Sequence, residues 1–237
     1  MRDKPPAPIK QPPKPTRNAA DIAKLVTGLT AAFIAQWYPE AAIAGAVFPV
    51  IIDRYVNRPL KLLFKELEQG NIGSLSSEQF AAFIPMTYKL LEKAKEGEYE
   101  HNLRILAAYL VGELKQDVPE PGNFSNMARR VEGLSAIDLK VMALIDASQS
   151  QITHSSTDEG TERSRPYVSV GSLKQSRDSQ GLTRADLAEA LVDLGSRGFL
   201  IPDGATRTGK MEEYFYVSRS FLDLMDRARA RVTSAST

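Results

Sequence analysis

The chain has 237 residues, of which 43% are hydrophobic and 25% charged, a composition typical of a folded protein with a substantial core. Its 30 basic and 29 acidic side chains leave a net charge of +1, which argues against an electrostatic grip of the whole molecule on nucleic acid or anionic lipid. Cysteine is absent, which excludes disulfides, thiolate metal sites and cysteine nucleophiles and favours a reducing compartment. Because His101 and His154 are the only histidines, one chain cannot assemble a histidine-based metal cage. We expect no metal site and no cofactor.

The first 18 residues form a basic, proline-rich segment. Five basic residues against one acidic residue give this segment a net charge of +4, and it contains six of the 14 prolines. Because proline fixes φ and lacks an amide donor, we predict a disordered tail with polyproline-II character. The alternatives to a solubilising tail are docking into an aromatic-lined groove and contact with phosphates. The remaining chain is slightly acidic, with −2 over residues 19–132 and −1 over residues 133–237.

Residues 19–132 are predicted to form an α-helical domain that opens with an unusually apolar hairpin. Between Leu25 and Ile52 the only charged residue is Glu40, and Pro39 separates two uncharged segments. Each segment is shorter than the roughly 20 residues of a membrane-spanning helix. We therefore expect a buried hairpin in a helical bundle, with a membrane-contacting hairpin and a self-assembly face as alternatives. The bulky residues that would make such a membrane or oligomer contact are Phe33, Ile34, Trp37, Phe48, Ile51 and Ile52.

Further helices are predicted before residue 132. Ser76 and Gln79 have the spacing of a capping box at the start of one helix, in which Pro85 predicts a bend. The next helix carries leucines at spacings of three and four, which predicts one buried stripe. These leucines are Leu103, Leu106, Leu110 and Leu114. A loop over 118–123 and a short helix around 124–132 follow.

The same region contains IPMTYKLLEKAKEGEYEHNLRILAAYLVGEL and then FSNMARRVEGLSAIDLKVMALI, after the apolar hairpin. A helix that ends in an acidic turn leads into the leucine-striped helix and then into a helix start with Leu134, Ser135 and Asp138. Over roughly residues 40–146, this order resembles the abortive-infection alpha (Abi-alpha) family of bacterial proteins. The resemblance implies a bacterial cytoplasmic protein linked to phage defence, and it brings no catalytic motif.

Residues 133–237 are predicted to form a winged-helix-like α+β module, so that the chain as a whole is mainly α. Thr183 is a good N-cap for a helix that stops at Gly198, and the Leu-x-x-Leu-x-x-x-Gly-Phe-Leu-Ile pattern there resembles the end of a winged-helix recognition helix. The predicted elements are a helix from Ser135, a long loop over 148–166, a strand over 167–170, a helical turn over 172–176, the Thr183 helix, strands at 199–201 and 213–218 around a glycine-rich turn, and a helix over 218–231.

A winged helix suggests DNA binding, because its third helix can enter the major groove while the wing contacts the backbone. The basic residues available for such a surface are Lys174, Arg177, Arg184, Arg207, Lys210 and Arg219. The module nevertheless has 13 basic and 14 acidic side chains, and Asp186, Glu189 and Asp193 on the third helix would repel phosphates. We therefore prefer protein contact to DNA binding as the role of this module.

No catalytic arrangement stands out in the sequence. Residues 204–210 match most of a phosphate-binding loop, but Met211 stands where a magnesium-binding hydroxyl belongs, and a strand rather than a helix is predicted to follow. We expect His101, at a helix start, to have a structural role. The leading hypothesis is a non-catalytic phage-defence protein that contacts a protein partner, a second copy or a membrane, in the cytoplasm or peripheral to the inner membrane. A DNA-binding regulator and a structural or assembly component are the alternatives.

Overall fold

The computed structural model describes residues 16–37, 52–149, 166–176, 181–202 and 214–235. Most of the predicted tail, most of the predicted 148–166 loop and the glycine-rich turn before β5 (Tyr214–Val217) lie outside these ranges. The described chain is mainly helical, as the sequence predicts, with one two-stranded and one three-stranded antiparallel sheet.

The N-terminal elements are helical except for two short strands. They are β1 (Thr16–Asn18), α1 (Ala19–Trp37), a π-helical turn (Asp53–Asn57), α2 (Arg58–Gln69), β2 (Ser74–Ser76), α3 (Ser77–Lys95), α4 (Glu100–Leu114) and α5 (Pro121–Val131). β1 pairs with β2, so the last three residues of the predicted tail form a strand. The helix α5 begins three residues earlier than predicted, because a proline in the first turn of a helix loses no hydrogen bond there.

The helix α3 begins where the sequence predicts it, at the Ser76–Gln79 capping box. The capping box is confirmed: the Gln79 backbone N–H donates to Ser76 Oγ at 3.2 Å, and the Ser76 N–H donates to Gln79 Oε1 at 2.8 Å. The π-helical turn comes directly before α2, and Pro59 lies in the first turn of α2. The helix α3 continues through Pro85.

The helix α4 lies at the centre of the N-terminal bundle and packs against α2, α3 and α5. Its four predicted stripe leucines are buried, but so are Ile105, Ala107 and Tyr109 on its other sides. A helix that is apolar on all sides is typical of a position with neighbours all round.

The C-terminal elements follow in the predicted order. They are α6 (Ala136–Gln149), β3 (Tyr167–Ser169), α7 (Val170–Ser176), α8 (Arg184–Ser196), β4 (Leu200–Pro202), β5 (Tyr214–Val217) and α9 (Arg219–Ala235). The sheet order is β3-β5-β4, and all pairs are antiparallel. The buried face of α8 packs against α6 and β4.

The C-terminal helix α9 joins the two halves of the chain. It packs against α4 and α6, and the buried side chains from α1 to α9 form one hydrophobic cluster. Ion pairs surround this contact: Arg227 Nε lies 3.0 Å from Glu113 Oε2, and Arg231 Nε lies 2.7 Å from Glu66 Oε1. The predicted boundary at residues 132 and 133 falls in the turn between α5 and α6.

Candidate recognition surfaces

The predicted basic surface of the C-terminal module is described at three positions. Lys174 on α7, Arg184 at the start of α8 and Arg219 at the start of α9 are all exposed. The other three residues of that prediction lie outside the described ranges: Arg177, Arg207 and Lys210.

Strand register bears on whether these basic residues share one edge of the sheet. Ser169 pairs with Tyr214, and α7 begins at the next residue, whereas α9 begins after Val217 at the other end of β5. The helices that carry Lys174 and Arg219 therefore leave the sheet from opposite ends. In addition, Arg219 Nε lies 3.3 Å from Asp223 Oδ1, which partly neutralises its charge.

The outer face of α8 combines small and apolar side chains with polar ones. Val192 is 73% exposed, and Ile201 on the adjoining strand β4 is 45% exposed. The inner face is buried and consists of Leu187, Ala190, Leu191 and Leu194. The exposed side chains of the outer face are Arg184, Ala185, Ala188, Glu189, Val192 and Ser196.

Two of the acidic residues of α8 have partners on the helix itself. The Thr183 backbone N–H donates to Asp186 Oδ2 at 2.8 Å, and the Asp186 N–H donates to Thr183 Oγ1 at 3.1 Å, which confirms the predicted N-cap. Hydrogen bonds from the side chain and backbone of Thr183 lower the pKa of the Asp186 carboxyl, so it stays negative at neutral pH. Asp193 accepts from Arg197 Nε at 2.6 Å. Among the described residues, the unpaired charges of the exposed outer face are therefore positive at Arg184 and negative at Glu189, and the half-buried Asp186 beside them adds a second negative charge.

Four residues of the predicted membrane or oligomer contact are described, three of them on α1 and Ile52 before the π-helical turn. Phe33 is fully buried, with its ring edge-on to Tyr88 at a centroid distance of 5.5 Å, and Ile34 and Ile52 pack against the core. Trp37 is 36% exposed, donates from Nε1 to the Tyr88 hydroxyl at 2.7 Å, and lies under Lys95 Nζ at 3.3 Å from its ring centroid. Phe48 and Ile51 lie outside the described ranges. Among the helices of the described residues, none combines the length and the hydropathy needed to cross a bilayer.

A junction between α5 and α8, which the sequence did not predict, orients α8 against the helical bundle. Arg130 Nη1 donates to the Arg197 carbonyl at 2.5 Å, and the Arg197 guanidinium donates to the carbonyls of Arg130 and Glu132. The partners are separated by 65 to 67 positions and share no motif, so no local signal indicates the contact.

His101 lies at the start of α4, as predicted, next to the same junction. Its Nε2 is 2.9 Å from the Leu134 carbonyl oxygen, and its ring stacks on Tyr99 at a centroid distance of 5.3 Å. Asn102 Nδ2 donates to the same carbonyl at 3.1 Å. Over the part of the chain that the structure describes, no three histidine, aspartate or glutamate side chains are grouped so that they could hold a metal ion.

Comparison with known proteins identified no relative of this chain. No protein-family model matches the chain, and no curated protein and no solved structure shows significant similarity to it.

Proposed function

We propose that this chain is a non-catalytic interaction protein that contacts another protein through the outer face of α8. The observation that carries the proposal is the character of this face, where Val192 is 73% exposed among alanines. Ala188 and Ala185, one and two turns before Val192, extend its exposed apolar surface along the helix, and a continuous exposed apolar surface favours a protein partner. A phosphate backbone would instead favour several basic residues, whereas this face presents one arginine and one glutamate.

We also propose that residues 136–235 are a winged-helix module. The support is the order of α6, β3, α7, α8, β4 and β5, together with the antiparallel sheet order β3-β5-β4. In such a module α8 is the helix that precedes the hairpin, and its outer face is the one presented to a partner.

The partner that fits this face is a second copy of the chain. Ala185, Ala188, Val192 and Gly195 recur at spacings of three, four and three, as the a and d positions of a heptad do. Arg184 and Glu189 then occupy flanking g and e positions. In a parallel helix pair these flanking positions face each other across the interface, so each copy's Arg184 would meet the other copy's Glu189. The charges of the face therefore complement themselves, and two equivalent ion pairs would form about a two-fold axis.

Sedimentation velocity over a concentration series of the full chain tests this proposal. We expect a reversible dimer for the natural sequence and a monomer for Val192→Asp, because the substitution buries a carboxylate in the interface. Val118→Asp is the matched control, since Val118 is 74% exposed in the loop after α4. A natural sequence that stays monomeric, or a Val118→Asp variant that dissociates equally, would contradict the proposal.

Charge exchange tests the orientation of the pair. Arg184→Glu and Glu189→Arg should each weaken the dimer, because each brings like charges together across the interface. The double variant Arg184→Glu/Glu189→Arg should restore it, because the opposite charges are again paired. Failure of the double variant to associate better than either single variant would reject the parallel arrangement.

DNA binding by the same module is the second candidate function. It is favoured by the exposure of Lys174, Arg184 and Arg219 and by the element order proposed above. It predicts that the full chain retards duplex DNA, that retardation weakens as salt rises, and that Arg184→Glu reduces it. The absence of retardation at low salt would remove this candidate, while the dimer experiment would still stand.

We propose phage defence in the bacterial cytoplasm as the biological setting, on the strength of the Abi-alpha-like segment order. Phages should form fewer plaques on bacteria that express the chain than on bacteria with an empty vector, and the Val192→Asp variant should not give this protection.

Flotation of the purified chain with anionic liposomes tests the peripheral-membrane alternative. If the protein floats and Trp37→Ala does not, membrane contact rather than cytoplasmic assembly would be supported.

A further inference from the structure

A cavity of about 290 Å³ lies away from α8, between the π-helical turn with the start of α2 and the connection from α3 to α4. Its volume is close to the lower end of the range for small-molecule sites, which runs from about 300 to 1,000 Å³. The residues of its wall that matter here are Arg54, Arg58, Leu62, Glu98, Tyr99 and Glu100.

The two carboxylates of the wall are already engaged by other groups. Glu98 accepts from Asn102 Nδ2 at 2.9 Å and from the Gly133 backbone N–H at 3.0 Å. Glu100 lies between two arginines, with Arg58 Nη2 3.5 Å from Oε2 and Arg104 paired to Oε1. Both carboxylates therefore have hydrogen-bond or ion-pair partners without using Arg54, the other arginine of the cavity wall.

Arg54 is exposed to solvent on the π-helical turn. No carboxylate of the described residues lies within 4 Å of its guanidinium, although its neighbours Asp53 and Arg58 both form ion pairs. π-Helical turns are rare and frequently occur at functional sites. This one brings Arg54 and Arg58 into the wall of the same cavity.

An aromatic side chain completes the site. Tyr99 is 57% exposed, and its ring is held by stacking on His101, with an interplanar angle of 10°. An exposed, fixed aromatic ring is a platform on which a planar base stacks. Leu62 and Leu103 supply apolar wall next to it.

We propose that this cavity binds a free nucleoside monophosphate, with the base stacked on Tyr99 and the phosphate at Arg54 and Arg58. An arginine guanidinium suits a phosphate because its fork of N–H groups can donate two hydrogen bonds at once. The proposal concerns residues outside the outer face of α8, so it goes beyond the protein contact proposed above and does not depend on it.

Isothermal titration of the full chain with AMP tests the site, with adenosine and inorganic phosphate as half-ligands. We expect AMP to bind at least tenfold more tightly than either half, because stacking and phosphate contacts act together. Arg54→Gln and Tyr99→Ala should each weaken AMP binding about tenfold or more. Lys65→Gln, an exposed cation on α2 outside the cavity, is the matched control and should bind like the natural sequence.

Several outcomes would overturn the proposal. These are absence of AMP binding, phosphate binding as tight as that of AMP, and unchanged binding by Arg54→Gln or Tyr99→Ala. Tighter binding of single-stranded oligo(dA) than of AMP would assign the site to nucleic acid and also reject it. Far-UV circular dichroism during thermal unfolding verifies that each variant is folded, and Val192→Asp should retain AMP binding, which separates this test from that of the α8 contact.

Discussion

Arg130 and Arg197 each donate a hydrogen bond to the backbone carbonyl of the other, at 2.5 Å and 3.4 Å. Both carbonyls lie at the C-terminal end of a helix, where the last carbonyl groups have no partner within the helix. The guanidinium groups therefore satisfy two helix ends at once and connect α5 with α8. This connection sets the orientation of the outer face of α8 relative to the helical bundle.

Removal of one guanidinium should destabilise the whole protein. We expect Arg197→Ala to lower the free energy of unfolding by about 1–3 kcal/mol, because charge-assisted hydrogen bonds to the carbonyls of Arg130 and Glu132 are lost. Lys65→Ala, at an exposed position of α2 outside the junction, should change it by less than about 0.5 kcal/mol. Urea titrations followed by circular dichroism measure both values, and equal values for the two variants would contradict the role of the junction.

Two glycines near the end of α8 should respond in opposite directions to alanine. Gly198 has φ +73°, and a Cβ there would clash with Arg130 Nη1, so Gly198→Ala should cost about 1–2 kcal/mol through strain and displacement of that arginine. At Gly195, inside the helix, a Cβ would have open space, so Gly195→Ala should stabilise the fold by about 0.5–1 kcal/mol. Thermal unfolding of the two variants distinguishes the effects, and a neutral Gly198→Ala would contradict this account.

Loss of the buried ion pair between Glu113 and Arg227 should lower the free energy of unfolding far more than loss of the exposed ion pair of Arg229. Glu113 is 1% exposed, so Arg227→Ala leaves a buried carboxylate without its counter-charge and should cost about 3–5 kcal/mol. Arg229 lies two positions on and pairs with Asp146 at 2.9 Å, but its side chain is 61% exposed. Arg229→Ala should therefore cost no more than about 1 kcal/mol. Comparable losses for both variants in denaturant titrations would be inconsistent with a buried pair.

Tyr109 should make the fold sensitive to alkaline pH. Burial raises the pKa of its hydroxyl to about 12, a rise that Glu113 and Asp223 reinforce and that Arg227 opposes, against 10.0 for a free tyrosine. The unfolded chain therefore releases this proton first, so the stabilisation is complete below pH 10 and is lost as the pH rises towards 12, at about 1.4 kcal/mol per pH unit. Tyr109→Phe should not show this loss, so the difference in unfolding free energy between the two proteins should change with this slope between pH 10 and 12. An identical pH dependence of both proteins would reject the assignment.

The helix starts at Ser76 and Thr183 and the strands of the C-terminal sheet were predictable because their signals are local, whereas β1 and β2 were not predicted. The capping box at Ser76 and the N-cap at Thr183 each involve residues three positions apart, and both form as predicted. The burial of α4 on all sides was not predictable from its leucine stripe. The additional neighbours come from α9, more than 100 positions later in the chain, and no periodicity within α4 indicates them.

For the candidate surfaces, too, the sequence predicted local features, but it did not predict contacts between distant residues. The sequence already indicated α8 as the recognition helix of the predicted winged-helix-like module, and the acidic residues of α8 already argued against its binding in the major groove of DNA. Lys174 and Arg219 belong to one predicted basic surface, but the register of β3 and β5 sends their helices away from opposite ends of the sheet. Phe33 belongs to the predicted membrane or oligomer contact, but packing against α3 buries it fully. The cavity with Arg54 and Tyr99 carries no motif, so only packing brings these residues together.

The amino-acid sequence by itself determined the composition of the chain, the partition of its charge into a basic tail and a slightly acidic remainder, and the type and order of most elements. These properties depend on residue type and on spacings of up to about four residues. The tertiary structure alone decided which side chains are buried, which acids are already neutralised, and that Arg130 meets Arg197. The reason is physical: these properties depend on contacts between residues tens of positions apart, and such contacts form only when the helices pack and exclude water from between them.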